Sequence, residues 1–271
     1  FEGPVADQKR LGVSSRQDQI INLVRDQGYA SIEMMAEKFD VAQQTVRRDI
    51  IHLSKKGLLQ RHHGGAGLPP GLESLAYSNR KIRNAQQKTL IGNAIAARIP
   101  NGASLFIDIG TTMEAVAVAL TGHEGLRVIT NHIGIVSIFC ENTDFEIIIS
   151  GGLVRNRDRA VTGETTTEFL RQFRVGYGIF GIGSITDDGQ LLDYDYRDAQ
   201  ASRAALQISR HKIAAADHSK FNGDAMMPFV HVSEMDDLFT DETPPVAISD
   251  AIEQGGTELF IAPGINMEKP E

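Results

Sequence analysis

Two groups of residues in this 271-residue chain have types and spacings suited to binding chemistry. The first is Gln43, Gln44, Thr45, Arg47 and Arg48 in the run QQTVRR, followed downstream by Arg61, His62 and His63. Arginine can hold guanine through two parallel hydrogen bonds, glutamine can do the same for adenine, and a threonine methyl packs on thymine. A charged helical stretch is commonly no more than a solvated face, and Asp49 blunts the positive field, so the run alone carries little. The second group comprises Asp108-Ile-Gly-Thr-Thr112, Thr130-Asn131, Gly151-Gly152, Arg155, Asp193 and Lys220. Gly110 lets the backbone approach an anion, Thr111 and Thr112 offer hydroxyls, and a helix opening there adds N–H groups and a positive dipole end. Lys220 brings a positive charge for a phosphate. Asp108 and Asp193 can orient ligand hydroxyls, while Arg155, Arg157 and Arg159 can close over the ligand.

The elements that must position the first group are short helices. Ile20, Leu23, Val24 and Gln27 recur at helical spacing over about Arg16–Gln27, and Ser14 with Gln17 forms an S-x-x-Q capping box. Ser31 can cap a second helix with Ile32, Met35, Ala36 and Phe39 as its apolar stripe. After a tight turn at Asp40-Val41, a third helix covers about Gln43–Lys55, with Val46, Ile50 and Leu53 inward and Gln44, Arg47, Arg48 and Lys55 elsewhere. LLQRHHGGAG then reads as a strand, a glycine-rich tip and a second strand. Three helices and a small hairpin predict a winged helix-turn-helix, with a recognition helix at Gln43 and a wing that reaches phosphates or the minor groove.

Residues 67–79 contain two prolines and two glycines and read as a linker. From Arg80 onward helices and apolar strands alternate. A helix over Arg80–Ile99 precedes strands at 104–107, 127–130, 145–150, 177–182, 212–216, 237–240 and 258–262. Helices at 132–141, 164–173 and 195–210 fall between them, and an arginine-rich loop follows Gly152. This alternation predicts a parallel sheet covered on both faces, with ligands held at the C-terminal ends of its strands. The expected organisation is a disordered or cloning-derived tail over 1–13, a DNA-binding head over 14–66, the linker 67–79 and an α/β effector-binding body over 80–271.

Composition supports this division. The chain is 41% hydrophobic and 23% charged, which excludes a mainly disordered or fibrous protein. Its net charge of −8 is unevenly spread: residues 1–66 hold ten Lys/Arg against eight Asp/Glu, the remainder seventeen against twenty-seven. DNA affinity depends on local basic groups facing phosphates, so the total does not argue against a nucleic-acid partner. The single cysteine, Cys140, excludes an internal disulfide and fits a reducing compartment. No apolar run is long enough to span a membrane, and the first twelve residues show no secretory signal, so a cytoplasmic protein without a membrane partner is expected. Adjacent His62 and His63 without Cys or a carboxylate cluster predict no metal site. Gly176-Tyr-Gly-Ile-Phe-Gly181 matches G-x-G-x-x-G, but its apolar residues read as a strand followed by a polar turn, so its glycines are expected to be close-packed sheet positions. No cofactor is expected.

The segment Thr45–Ala66, T-V-R-R-D-I-x-x-L-x-x-x-G-L-L-x-R-x-x-G-G-A, resembles the helix-turn-helix and wing of the DeoR family of bacterial repressors. The likeness continues through Asp108–Thr112, Thr130-Asn131, Gly151-Gly152 and Asp217-His-Ser-Lys-Phe221. The resemblance implies operator binding relieved by a small phosphorylated metabolite, with glycerol 3-phosphate favoured. It also implies a Rossmann-like sensor fold shared with sugar-phosphate isomerases, and no enzymatic activity. Ala42 departs from the serine usual at the recognition-helix cap, Gly176 from an acidic residue and Ser202 from a lysine. A helix-turn-helix protein is expected to act as a homodimer or homotetramer on double-stranded DNA. Three other readings are a repressor of the same family sensing a different sugar phosphate, an active sugar-phosphate isomerase carrying a DNA-binding head, with Asp108 or Asp193 as base, and a repressor sensing a nicotinamide dinucleotide. The single glycine of the first βα turn disfavours the last.

Overall fold

A computed structural model describes residues 13–262, apart from 28, 63, 70–72, 224 and 226. His63, the residues 1–12 and the residues 263–271 lie outside it. The chain divides into two compact units, 1–80 and 81–271.

The first unit holds helices α1 (Ser15–Gln27), α2 (Ile32–Lys38) and α3 (Gln43–Lys55). Three short strands accompany them: β1 (Tyr29–Ser31), β2 (Gln60–His62) and β3 (Gly65–Gly67). The strands pair antiparallel in the order β1-β3-β2, so the wing gains a third strand that the sequence pattern did not mark. Ser14 and Gln17 exchange the two capping-box bonds, at 3.1 and 3.2 Å. Ser31 Oγ accepts from the Met34 N–H at 3.1 Å and starts α2. Ala42 leaves α3 without a side-chain cap. Ile20, Val24, Met35, Val46, Ile50 and Leu53 are fully or almost fully buried in one core. Gly65 sits where a Cβ would lie 2.4 Å from the Ala30 carbonyl oxygen, so only glycine lets β3 approach β1 this closely.

Helix α4 (Glu73–Ile82) begins inside the stretch expected to be a linker, and α5 (Ala85–Ala96) follows it. The single helix expected over 80–99 is thus two, broken at Asn84, whose backbone is left-handed (φ 52°). Asparagine tolerates that conformation better than most residues, so the break has a local cause.

The second unit is built on seven parallel strands: β4 (Ser104–Ile107), β5 (Arg127–Thr130), β6 (Glu146–Ile149), β9 (Val175–Gly181), β12 (Ser209–Ala215), β14 (Asp237–Thr240) and β15 (Glu258–Ile261). Their order is β15-β14-β12-β9-β4-β5-β6. Connections run one way from β4 and the other way from β9, which puts the reversal between those two neighbours. Side chains alternate across the sheet as strand geometry requires. Leu105, Ile107, Ile179 and Ala215 pack with α5, α6 (Thr111–Leu120) and α7 (Ile133–Asn142) on one face. Phe106, Phe180 and Ala214 pack with α8 (Glu164–Leu170), α9 (Tyr196–Ile208) and α10 (Val246–Gly255) on the other. The sequence pattern missed α10.

The arginine-rich segment after Gly152 is an antiparallel hairpin, β7 (Leu153–Arg155) and β8 (Ala160–Thr162), where a loop was expected. A second antiparallel sheet, β10 (Ser184–Ile185), β11 (Gln190–Asp193) and β13 (Met227–His231), was also not foreseen. Two glycines of β9 are close-packed, as expected: a Cβ at Gly178 would lie 2.2 Å from Ser209 Oγ, and one at Gly181 2.9 Å from the Ile109 carbonyl oxygen, whereas one at Gly176 would meet nothing nearer than 3.4 Å. Among the described residues no helix is long and apolar enough to cross a membrane.

Asp49, on α3, is buried and joined to α1 by Arg16 Nε at 2.7 Å and Gln17 Nε2 at 2.9 Å. Asp49→Ala removes both bonds, one of them to a charged group, and is expected to destabilise the chain by about 1 kcal/mol in urea unfolding. Ala42→Ser supplies the missing cap and should stabilise it by ~1 kcal/mol. Unchanged midpoints would show that neither contact matters.

Candidate functional site

In the first unit Gln43, Gln44, Arg47 and Arg48 are exposed and Thr45 is half-buried, while Val46, Asp49 and Ile50 face the core. The 3.6-residue period thereby collects polar donors on one outward face of α3. Arg47 Nη2 donates to Gln43 Oε1 at 3.3 Å, one turn back. Arg61 is exposed on β2, where the backbone of His62 also lies. Burial of Asp49 against Arg16 and Gln17 turns its charge inward, so it does not oppose the outward arginines as the sequence alone led us to expect.

In the second unit the sheet brings most of the second group to one end. Asp108 closes β4 and is buried, and Gly110 caps α6 with φ 120° and ψ 163°. That backbone is open to glycine and strained for other residues. A Cβ built on Gly110 meets nothing within 4 Å, so open space fronts the N-terminus of α6. Thr111 is half-exposed and Thr112 is buried. In the first turn of α6, Glu114 is buried and pairs with Lys81 at 2.8 Å.

Thr130 and Asn131 follow β5 and are fully buried. The Thr130 hydroxyl donates to the Ile107 carbonyl at 2.7 Å, which spends it on joining β5 to β4. Asn131 Nδ2 donates to the Val161 carbonyl at 3.3 Å, while its Oδ1 is buried with no hydrogen-bond partner. Gly151 and Gly152 follow β6. A Cβ on Gly152 would lie 2.2 Å from Thr166 Oγ1, so the chain can enter β7 there only on glycine.

Arg155 is placed differently from the expectation of a free arm. Its guanidinium reaches Asp158 at 2.8 Å, Asp195 at 3.0 Å and Asp198 at 2.6 Å, and Arg157 joins Asp195 at 3.0 Å. These pairs fasten the β7–β8 hairpin to the start of α9. Lys220, in the 3-10 turn His218–Lys220 after β12, lies 5.8 Å from the centre of the Tyr194 ring. Asp217 beside it accepts from Asn84 Nδ2 at 2.9 Å and from Ser219. Those bonds and the Lys220 charge outweigh burial and hold the Asp217 carboxyl below its usual range. His218 Nδ1 lies 2.6 Å from Asp241, which raises the imidazole's affinity for a proton.

The acids behave differently. Burial pushes Asp108 up to about 7, although Ser202 Oγ and the Ile109 N–H both donate to its ionised form at 2.8 Å. Burial pushes Asp198 up to about 6 against the pull of Arg155. Asp193, whose Oδ1 accepts from the Tyr194 N–H at 2.6 Å, is raised by burial and by the charges of Asp198 and Asp108. Asp158, Asp195, Asp198 and Asn84 were not foreseen, while Ser202, marked in the sequence as a departure from a lysine, is the donor to Asp108. Asp195 caps α9 and Asp198 lies in its first turn, but nothing nearby in sequence points to Arg155 as their partner.

A folded-state value of about 7 against 3.8 for the ordinary carboxyl means the folded chain binds the Asp108 proton more tightly. Stability contributed by Asp108 is therefore fully present below about pH 4 and is lost as pH rises to about 7, a contribution on the order of 4 kcal/mol. Urea midpoints measured from pH 4.5 to 8 should fall less steeply for Asp108→Asn than for the unchanged chain. Parallel curves would contradict this.

Comparison with known proteins agrees with the geometry. Residues 16–70 match the DeoR-like helix-turn-helix domain and residues 83–242 the DeoR C-terminal sensor domain. The chain is 43% identical to the glycerol-3-phosphate regulon repressor of Escherichia coli (strain K12) over 87% of its length and 93% of that protein's. It is 43% identical to the same-named protein of Haemophilus influenzae, covering 93% and 98% of the two chains. It is 36% identical to the E. coli HTH-type transcriptional repressor CsqR, covering 91% and 94%. Among solved structures, ribose 5-phosphate isomerase A of Methanocaldococcus jannaschii aligns with a TM-score of 0.39 at 10% identity, covering 51% of this chain and 55% of that one. With both domains in the expected order and identity sustained over most of its length, the chain belongs to the DeoR family of transcriptional repressors.

Proposed function

We propose that the protein represses a carbon-catabolic operon for glycerol or glycerol 3-phosphate use by binding operator DNA until a phosphorylated polyol binds the body. The outward face of α3 reads bases through Gln43, Gln44, Thr45, Arg47 and Arg48, and Arg61, His62 and His63 contact the backbone or minor groove. The effector's phosphate lies before Gly110, where the N–H groups of α6, Thr111 and Thr112 receive it and Lys220 adds charge. Asp108 and Asp193 take its hydroxyls. Thr130, Asn131, Gly151, Gly152 and Arg155 shape the surrounding strand ends.

One observation carries the effector reading: a positive-φ glycine with open space before it caps a ten-residue helix at the sheet's reversal point. That is the place where open parallel sheets hold anionic ligands. The favoured effector comes from the names of the relatives at 43% identity. Induction requires the ligand to bind the DNA-released form more tightly, by ~1–3 kcal/mol for typical coupling. The chain acts as a homodimer or homotetramer, because paired heads match paired half-sites.

A second reading is favoured by the value of about 7 at Asp108, which suits a general base at neutral pH. Incubation of the protein with pentose and hexose phosphates separates the two: the sensor reading expects no turnover, and isomerised product would establish an enzyme.

The repressor reading is tested with a duplex selected by the protein from a random DNA library. Arg47→Ala or Arg48→Ala should weaken its binding at least tenfold and leave glycerol 3-phosphate binding intact. Thr111→Ala or Lys220→Ala should remain on the duplex at effector concentrations that release the unchanged chain. Normal release would place the effector elsewhere.

A further inference from the structure

The carboxylates around the start of α9 leave one acceptor unexplained. Asp108 ends β4, Asp193 ends β11 and Asp198 lies on the first turn of α9. They are close enough that Asp198 raises the proton affinity of both others and Asp108 raises that of Asp193. Asp108 is held by Ser202 and Ile109, and Asp193 by the Tyr194 N–H. On Asp198, Oδ2 is taken by Arg155 at 2.6 Å, but Oδ1 is buried and receives no hydrogen bond. The residue is 5% exposed, so bulk water does not serve that oxygen. A buried acceptor without a donor is costly and calls for a specific explanation.

We propose that Asp198 reads a hydroxyl of the bound effector and so selects phosphorylated ligands that offer a hydrogen-bond donor over those that offer a carbonyl at the same carbon. This rests on the effector site proposed above and adds its selectivity. The argument is one of hydrogen-bond sign. An ionised carboxylate only accepts, so it bonds a hydroxyl and is set against the lone pairs of a carbonyl oxygen. The Arg155 guanidinium, bonded at 2.6 Å, favours the ionised form of Asp198 against its burial. That bond engages Oδ2, which leaves Oδ1 as the oxygen that lacks a donor. A site built to bond a hydroxyl rejects an analogue lacking it much more strongly than an apolar pocket rejects a missing methylene. A cation is a poorer match. The oxygen atoms of the three acids do not gather within metal-ligating distance, the group His218, Asp241 and Glu242 being what does so among the described residues.

Glycerol 3-phosphate and dihydroxyacetone phosphate carry the same phosphate and differ at C2 in hydroxyl against carbonyl. Calorimetric titration of the full chain with each at pH 7.5 should give at least tenfold tighter binding of glycerol 3-phosphate. Asp198→Asn, whose amide can donate as well as accept, should bring the ratio towards one. Retained operator-duplex binding certifies its fold, and Asp198→Ala, which removes the acceptor without adding a donor, tests the same ratio independently. Equal affinities in the unchanged chain, or a ratio preserved in both variants, would overturn the selectivity while leaving the effector site standing. Binding of neither compound would overturn the effector assignment and this inference with it.

Discussion

The constraint on which the second unit depends is the reversal of strand order between β4 and β9. Connections from these neighbours depart in opposite directions, so the chain leaving β4 turns over an uncovered place at the sheet's end. Gly110 makes that turn at φ 120°, with open space where a side chain would stand, and α6 begins immediately after it. Asp108 is drawn under the turn because the strand ends there, which explains both its burial and its reluctance to ionise. Packing holds the turn in place: Gly92 of α5 lies so close to α6 that a Cβ would stand 2.8 Å from the Ala115 carbonyl oxygen. The open end of α6 is thus fixed by the helix behind it and by the sheet below.

Charge is sorted around this place. Asp108, Asp158, Asp193, Asp195 and Asp198 collect near the hairpin and α9, with Arg155 and Arg157 pairing some of them. Lys220 and the start of α6 supply positive potential from other strand ends. In the proposed arrangement this asymmetry orients a small phosphorylated polyol, phosphate towards α6 and hydroxyls towards the acids. In the first unit sorting works through burial. Asp49 is pulled to α1 by Arg16 and Gln17, leaving Arg47 and Arg48 outward on a chain whose net charge is −8. A negative total is therefore compatible with a DNA-reading face, since binding responds to the local field.

Elements whose cause is local were legible in the sequence. The Ser14/Gln17 box, the Ser31 cap and the bounds of α3 follow from residues within one turn of each other. The buried parallel strands announced themselves as apolar runs between helices, and Gly110 could be assigned to a strand-to-helix turn. Features made by distant pairing were not legible. Asp49 meets Arg16 across 33 residues, and Arg155 meets Asp198 across 43. The hairpin β7–β8 is short, partly exposed and rich in arginine, which hides its alternation. Thr130 resembled a ligand hydroxyl in sequence, yet its register beside Ile107 turns that hydroxyl into a tie between strands.

The central claim is that occupancy of one site and occupancy of the other are linked through a shared equilibrium, and linkage is reciprocal. The most direct measurement is the dissociation constant of glycerol 3-phosphate for the full chain, free and saturated with its selected duplex. It is compared with the dissociation constant of the duplex, without and with saturating glycerol 3-phosphate. The account predicts that both constants rise by the same factor, about 5–150-fold for typical coupling. Tight effector binding that is indifferent to DNA would contradict it.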